Sequence, residues 1–285
     1  MSQIEIRSAD AASFAIAAEW AAAEGWNPGL DDLEAFFAAD PGGFLLGYAA
    51  GEPVACISVV RYGDAFGFLG FYIVRPDWRG RGAGLAIWRA GLERLAGRTV
   101  GLDGVVAQQA NYRRSGFVLT GRNIRFTGPA GSSAPQGDED TAVTALTPQT
   151  LPALATFDRG HFPAPREAFL RRWTASDARR TTRLLWRGDA LAGYGVIRTC
   201  RDGAKIGPLF AEDAETARRL FCALAATRAS GETVSLDVPE DNPAAVALAE
   251  TAGLAPVFET ARMYLGPPPA LPLQRIFGVT TFELG

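Results

Sequence analysis

Two arginines and three glycines interleave over six residues, Arg79-Gly80-Arg81-Gly82-Ala83-Gly84, a run suited to holding phosphate. Glycine leaves the backbone bare where a ligand must approach closely. A helix that begins here has first amides with no partner inside the helix, and they carry the positive end of its dipole. Those amides, with the Arg79 and Arg81 guanidiniums, make a seat for a pyrophosphate. The residues on either side supply the frame. Residues 66–74 form an apolar run rich in aromatic and β-branched side chains that reads as a buried strand, stopped by Pro76. Residues 85–95 (LAIWRAGLERL) follow with helical periodicity.

The run does not fit the dinucleotide fingerprint G-x-G-x-x-G, nor the P-loop, which needs Gly-Lys-Ser/Thr. It fits R-x-x-G-x-G/A, with Arg79, Gly82 and Gly84 directly after the strand. On these residues the segment resembles the coenzyme A signature of the GNAT N-acyltransferases. The resemblance implies acetyl-CoA as the cofactor, with its pyrophosphate at Arg79–Gly84 and its pantetheine arm along main-chain groups near Phe71 to Val74, Ile73 and Val74 above all. It implies acyl transfer from a thioester to an amine, the same amides polarising the thioester oxygen.

Such a transfer needs a proton for the departing thiolate and a route for the amine's own proton. Tyr112-Arg113-Arg114-Ser115-Gly116-Phe117 resembles the family's Tyr-x-x-x-Gly-Phe segment, which implies that the Tyr112 hydroxyl faces the coenzyme sulfur as the acid. The alternative is an amphipathic tyrosine anchoring a short helix. Many family members carry a glutamate on the signature strand, but residues 66–74 contain no acid, so Asp103 is the candidate base. Asp103 could equally cap the helix after it. The family's asparagine seven residues before the tyrosine is here Val105. For the acceptor, Glu24 and Trp26 are suited to an organic cation, and Asn27 either joins them or holds the turn. Tyr72 either positions the acceptor or packs.

The elements that would position these groups divide once. Strands are expected over 4–7, 44–49, 53–61, 66–74, 99–103 and 117–126, with helices over 11–24, 30–39, 85–95 and near 105–115. Residues 127–140 (TGPAGSSAPQGDED) read as a linker, giving an acetyl-CoA-binding domain over 1–128, a linker over 129–140 and a second domain over 141–285. The second domain looks like an altered copy, with strands over 189–198, 205–210, 233–238 and 257–265 and helices over 214–226 and 241–251. Pro208 stands for Pro76, Ala252-Gly253-Leu254 for Ser115-Gly116-Phe117, and Asn242 matches the family's later asparagine. Its counterpart of the glycine run is Ala211-Glu212-Asp213-Ala214-Glu215-Thr216, whose carboxylates would repel a pyrophosphate. The expected fold is α/β, two GNAT-like domains in tandem, each a mixed, largely antiparallel sheet flanked by helices, the second degenerate. Residues 157–166 (FDRGHFPAPR) are either an acceptor pocket between the domains or a loop and helix start. Residues 276–284 (IFGVTTFEL) alternate like a strand that docks on a sheet edge or a neighbouring subunit.

With 285 residues and a net charge of −3, the chain has room for two cores and nothing that favours nucleic acid. No apolar run is long enough to span a bilayer, and residues 1–10 lack a signal-peptide pattern. Cys56, Cys200 and Cys222 have no metal-ligand spacing, and His161 is the one histidine, so no metal is expected. The expectation is a cytoplasmic N-acetyltransferase, monomer or homodimer, acetylating the amine of a small metabolite by direct attack. Two other readings stay open. One is a non-catalytic acyl-CoA sensor; the other is a tandem aminoacyl- or acyltransferase with a different donor.

Overall fold

In the computed structural model, which describes residues 4–130 and 142–285, β1 (Glu5–Ser8) leads into α1 (Ala11–Ala23) through a capping box. There the Asp10 carboxylate accepts from the Ser13 amide at 2.8 Å and the Ser13 hydroxyl accepts from the Asp10 amide. The first half continues as α2 (Asp32–Ala39), β2 (Phe44–Ala49), β3 (Glu52–Tyr62) and β4 (Phe66–Val74). After these come α3 (Ala83–Arg94), β5 (Thr99–Val105), α4 (Gln109–Arg114) and β6 (Val118–Pro129). The second half runs β7 (Val143–Ala145), α5 (Leu151–Arg159), α6 (Glu167–Trp173), β8 (Arg180–Arg187), β9 (Ala190–Thr199) and β10 (Ala204–Ala211). It ends with α7 (Ala214–Ala225), β11 (Thr233–Pro239), α8 (Pro243–Thr251), β12 (Ala255–Leu265) and β13 (Ile276–Gly278). No helix among the described residues is long and apolar enough to cross a membrane.

All strands join one mixed sheet, ordered β1-β2-β3-β4-β5-β12-β6-β11-β10-β9-β8-β7, with β13 paired to β10. Read outward from the central β6–β12 pair, the order mirrors itself, so every strand except β13 has a counterpart in the other half. The halves exchange their late strands: β12 pairs with β5 of the first half, and β6 pairs with β11 of the second. The boundary expected at residue 128 therefore falls inside β6, and most of the expected linker lies outside the described residues.

Helices α3, α4, α7 and α8 cover one face, with a separate apolar core in each half. On the other face α1, α2, α5 and α6 share a single core that runs across both halves, with Phe36 stacked on Trp173 at 5.9 Å. Residues 252–254 and 115–117 do match. Gly116 and Gly253 both have positive φ, and Phe117 and Leu254 donate back to the Tyr112 and Ala249 carbonyls in the same helix-ending pattern. Pro208 does not correspond to Pro76. It sits inside β10 at a register shift against β9, where a residue without an N–H is tolerated, whereas Pro76 follows the end of β4.

Candidate active site

Strands β4 and β5 pair in parallel from Phe66–Leu69 against Thr99–Leu102 and then separate. At the point of separation Phe71 and Tyr72 together oppose Ile57 of β3, a bulge in which Phe71 takes φ 45°. The opening is a cleft of about 500 Å³, walled by Gly70 to Val74 on one side and Leu102 to Val105 on the other. The start of α3 forms its outer end. Gly82 is the N-cap at φ 90° and supplies no side-chain cap, so the first amides of α3 have no partner among the described residues. A Cβ at Gly80 or Gly82 would meet nothing within 4 Å, so the space beside this turn is open.

The second half shows what closes such a site. Its β10 and β11 also pair, from Ala204–Ile206 against Val234–Leu236, and then separate. Here the chain's own residues 276–278 lie in the gap as β13, antiparallel to β10 at Leu209 and Phe210. Val279 donates to the Asp237 carbonyl across the gap, and the Asn242 side chain holds the Ile276 carbonyl at 3.0 Å. At the start of α7, Asp213 caps the helix by accepting from the Thr216 amide at 2.9 Å. A carboxylate thus takes the place that phosphate would need. The expected strand over 276–284 is three residues long, and it wedges into the sheet rather than docking on an edge.

Residues 279–285 then cross to the first half. Tyr62 donates to the Leu284 carbonyl at 3.0 Å, and the Glu283 main chain lies directly on Gly70. A Cβ at residue 70 would come within 2.1 Å of the Glu283 carbonyl oxygen, so only glycine fits there. Phe282 and Glu283 line the inner end of the cleft, with Trp26 from the α1–α2 loop and Phe258 and Thr260 from β12. The sequence reading found Trp26 but none of the other four. They come from the far half of the chain, and strand exchange and the tail bring them in.

Most residues expected at the coenzyme end are there. Ile73, Val74, Arg79, Gly80, Gly82 and Gly84 line the cleft, and buried Ala83 is the first helical residue of α3. The Arg81 guanidinium lies over the Trp78 ring, 5.4 Å from its centroid, and does not line the cleft. Arg79 donates to the Val74 carbonyl at 3.0 Å and pairs with Glu24 across the mouth of the cleft. Two groups expected to act separately on coenzyme and acceptor therefore hold each other.

Tyr112 lines the cleft with its ring against Gly104 and stacked on Trp88 at 5.5 Å. Burial, reinforced by nearby Tyr72, pushes its hydroxyl above the usual phenol range, so at neutral pH it carries a proton to give. Tyr72 lines the cleft beside the start of α3. Its ring packs on Trp88 at 5.1 Å, and its hydroxyl lies 2.8 Å from where a Gly84 Cβ would be. Val105 closes β5 and lines the cleft.

Two expectations give way. The Asp103 carboxylate borders the cleft but is fully shielded, held by the Arg262 guanidinium at 2.6 and 2.8 Å and by the Asn123 amide at 2.7 Å. Three of its four acceptor positions are thus taken and it is engaged as the structural partner of Arg262, while burial raises it above the usual carboxylate range. Asn27 takes positive φ and uses its side-chain amide to clasp the Asp202 backbone at 2.8 and 3.1 Å. It anchors the α1–α2 loop to the second half, away from the cleft lining. The same loop is held by Arg125 and Lys205, whose cationic ends donate to the Trp26 carbonyl at 2.8 and 3.4 Å.

Residues 157–166 are structural. Asp158 and Arg166 form a buried pair at 2.7 Å, and His161 lies against Phe210 beside a separate cavity of about 30 Å³. Burial pushes the His161 imidazole below its ordinary value. Cys56 is buried, donates to the Phe71 carbonyl, and is pushed up by burial, so it offers no thiolate nucleophile.

Family models match this chain twice. Residues 11–117 match the acetyltransferase (GNAT) family and residues 154–278 an acetyltransferase (GNAT) domain. A holothin acyltransferase from Pseudoalteromonas sp. (strain SANK 73390) is 35% identical over 94% of this chain and 90% of its own length. A solved Pyrococcus horikoshii protein described as a candidate acetyltransferase superposes with a TM-score of 0.81, covering 99% of this chain and 96% of that one at 21% identity. A tandem GNAT protein from the clavulanic acid biosynthesis pathway does so at 0.63, covering 93% and 100% at 14% identity. At those identities the two structures speak to the fold.

Proposed function

We propose that this chain, which belongs to the GNAT family of acyltransferases, carries the acetyl group of acetyl-CoA onto the primary amine of a small molecule. One observation supports this above the others: a single cleft joins the uncapped start of α3 to an aromatic-lined inner end, past the bulge at Phe71. The α3 amides would receive the pyrophosphate, and the edge of β4 opened by the bulge would receive the pantetheine, as β10 receives β13 in the second half. The coenzyme supplies the activated thioester. Tyr112 supplies the proton for the departing sulfur, and the amine attacks directly, since no nucleophilic thiol lines the cleft. The acceptor enters as a free small molecule, with neither nucleic acid nor membrane as partner. The protein works in the cytoplasm as a monomer or homodimer, a setting that suits its three free cysteines.

Calorimetric titration with acetyl-CoA is expected to show one site per chain, because the second half has filled its own gap. Two sites would remove the asymmetry. No binding would remove the reading. Thiol release from acetyl-CoA should follow on adding an amine, and the compound named for the relative, holothin, is the first acceptor to try. Binding without thiol release from any amine would favour the sensor reading, and turnover with only another acyl donor would favour the second alternative. Tyr112→Phe should lower kcat about 100-fold, toward the lower end of general acid catalysis, while coenzyme affinity changes less than about twofold. An unchanged kcat would assign Tyr112 to packing on Trp88.

A further inference from the structure

The inner end of the cleft carries two polar groups that the protein itself leaves unused. Thr260 is 2% exposed, and its Oγ1 has no hydrogen-bond partner among the described residues. Glu283 is 5% exposed; Ser58 and Thr281 fix its main chain, and its carboxylate takes no hydrogen bond among the described residues. Arg125 and Arg198 both feel the charge of Glu283, yet each is already paired, with Asp237 at 2.6 Å and Asp32 at 3.0 Å respectively. Glu283 therefore has a carboxylate that no donor among the described residues holds, on a residue that lines the cleft beside the point where β4 leaves β5. Trp26, Phe258 and Phe282 surround the same end.

We propose that Glu283 binds the acceptor's ammonium group and takes its proton, and that the acceptor is a compact arylalkylamine held among Trp26, Phe258 and Phe282. The proposal rests on the amine-acetylation reading above and supplies a base that no donor among the described residues already holds. The ammonium gives one N–H proton to Glu283, which frees the nitrogen lone pair. The C–N bond forms, the C–S bond breaks, and the sulfur takes its proton from Tyr112. The second N–H proton of the amine restores Tyr112, and Glu283 releases its own to solvent, so each turnover yields amide, free thiol and one proton. Thr260 Oγ1 is left to accept from the same ammonium group. The charged groups packed around Glu283 are Arg125 on β6, Arg198 on β9, Lys205 on β10, Asp237 on β11 and Asp32 on α2, with Glu24 toward the mouth.

The test uses the whole chain saturated with coenzyme A, titrated with tryptamine and with tryptophol, its uncharged counterpart. Glu283→Gln is expected to weaken tryptamine at least tenfold and tryptophol less than twofold, with one coenzyme still bound per chain. Tryptamine acetylation should fall at least 100-fold. Glu283→Asp should recover part of the rate. If the Gln variant lost coenzyme binding as well, Glu283→Asp would be compared with the parent in the same titrations, and equal tryptamine affinity would overturn the proposal. So would equal affinity in parent and Gln variant, or a parent that binds coenzyme but no tryptamine. A parent that binds no coenzyme would instead overturn the acetyltransferase reading itself.

Discussion

Leu85→Glu is expected to bind acetyl-CoA at least about 100-fold more weakly than the parent protein while melting within about 2 °C of it. Leu85 is the third residue of α3, 53% exposed, and lines the cleft beside the glycine turn. A glutamate there favours the helix itself, because it sits at the positive end of the dipole. It opposes a bound pyrophosphate. Two unit charges about 4 Å apart repel by roughly 4 kcal/mol at an effective dielectric near 20. Two-thirds of that already gives about a hundredfold loss, at about 1.4 kcal/mol per tenfold. Helix stability and ligand affinity therefore move in opposite directions, which separates this variant from a misfolded one. Gly82→Asp should lose coenzyme too, but with a lower melting temperature, because residue 82 holds φ 90°. Calorimetric affinity and thermal melting decide both. Tight binding by Leu85→Glu would mean that the phosphates do not sit at α3.

The second half already embodies this substitution. Asp213 caps α7, Glu215 is in its first turn, and the gap beside it is filled by β13. Loss of the glycine turn and closure of the gap form one change, since an open splay without a ligand leaves strand edges unpaired. The segment that closes it continues into the first half and lines the inner end of the cleft there, so the half whose own gap is filled contributes residues to the cleft of the other.

What could be read in the sequence was local. The strand over Phe66–Val74, the glycine turn and the helix are adjacent in the chain, and their chemistry shows in residue type and spacing. Tyr112 followed from a short motif. The pairing of Asp103 could not be read, because its partner, Arg262, lies 159 positions away on a strand contributed by the other half. Nothing in the pattern of β6 or β12 marks them as exchanged, since each reads as an ordinary half-buried strand. Helices α5 and α6 and strand β8 went unassigned, the last because Arg180-Thr181-Thr182-Arg183 looks solvent-exposed. In fact Arg180 is 3% exposed and satisfied by carboxylates of the first half. Glu283 and Phe282 carried only the faint signal of an alternating tail, which locates a strand and says nothing of the cleft it reaches.

Asp32→Ala is expected to cost about 3–5 kcal/mol, the usual loss when one partner of a buried ion pair is removed. For a chain of this size that is a fall of roughly 6–20 °C in melting temperature. Asp32, at the start of α2, accepts from Arg198 at 3.0 Å and Arg180 at 3.1 Å, and from the Gly29 amide at 3.0 Å. All three side chains are nearly inaccessible, and both arginines stack on Trp173. Alanine would leave the buried Arg198 guanidinium without its counter-charge and Arg180 with Asp31 alone, and water could reach them only by parting the halves. Glu34→Ala is the matched control. Its pairing with Arg172 also joins α2 to α6, but both side chains are more than half exposed, so melting should shift by less than about 2 °C. The same loop carries Trp26, so loosening it at Asp32 should raise KM for the amine more than for the coenzyme, whose seat on α3 has no contact with Asp32. Equal losses for both substrates would mean that the two ends of the cleft are stabilised as one unit, and that the α1–α2 loop is not a separate acceptor element.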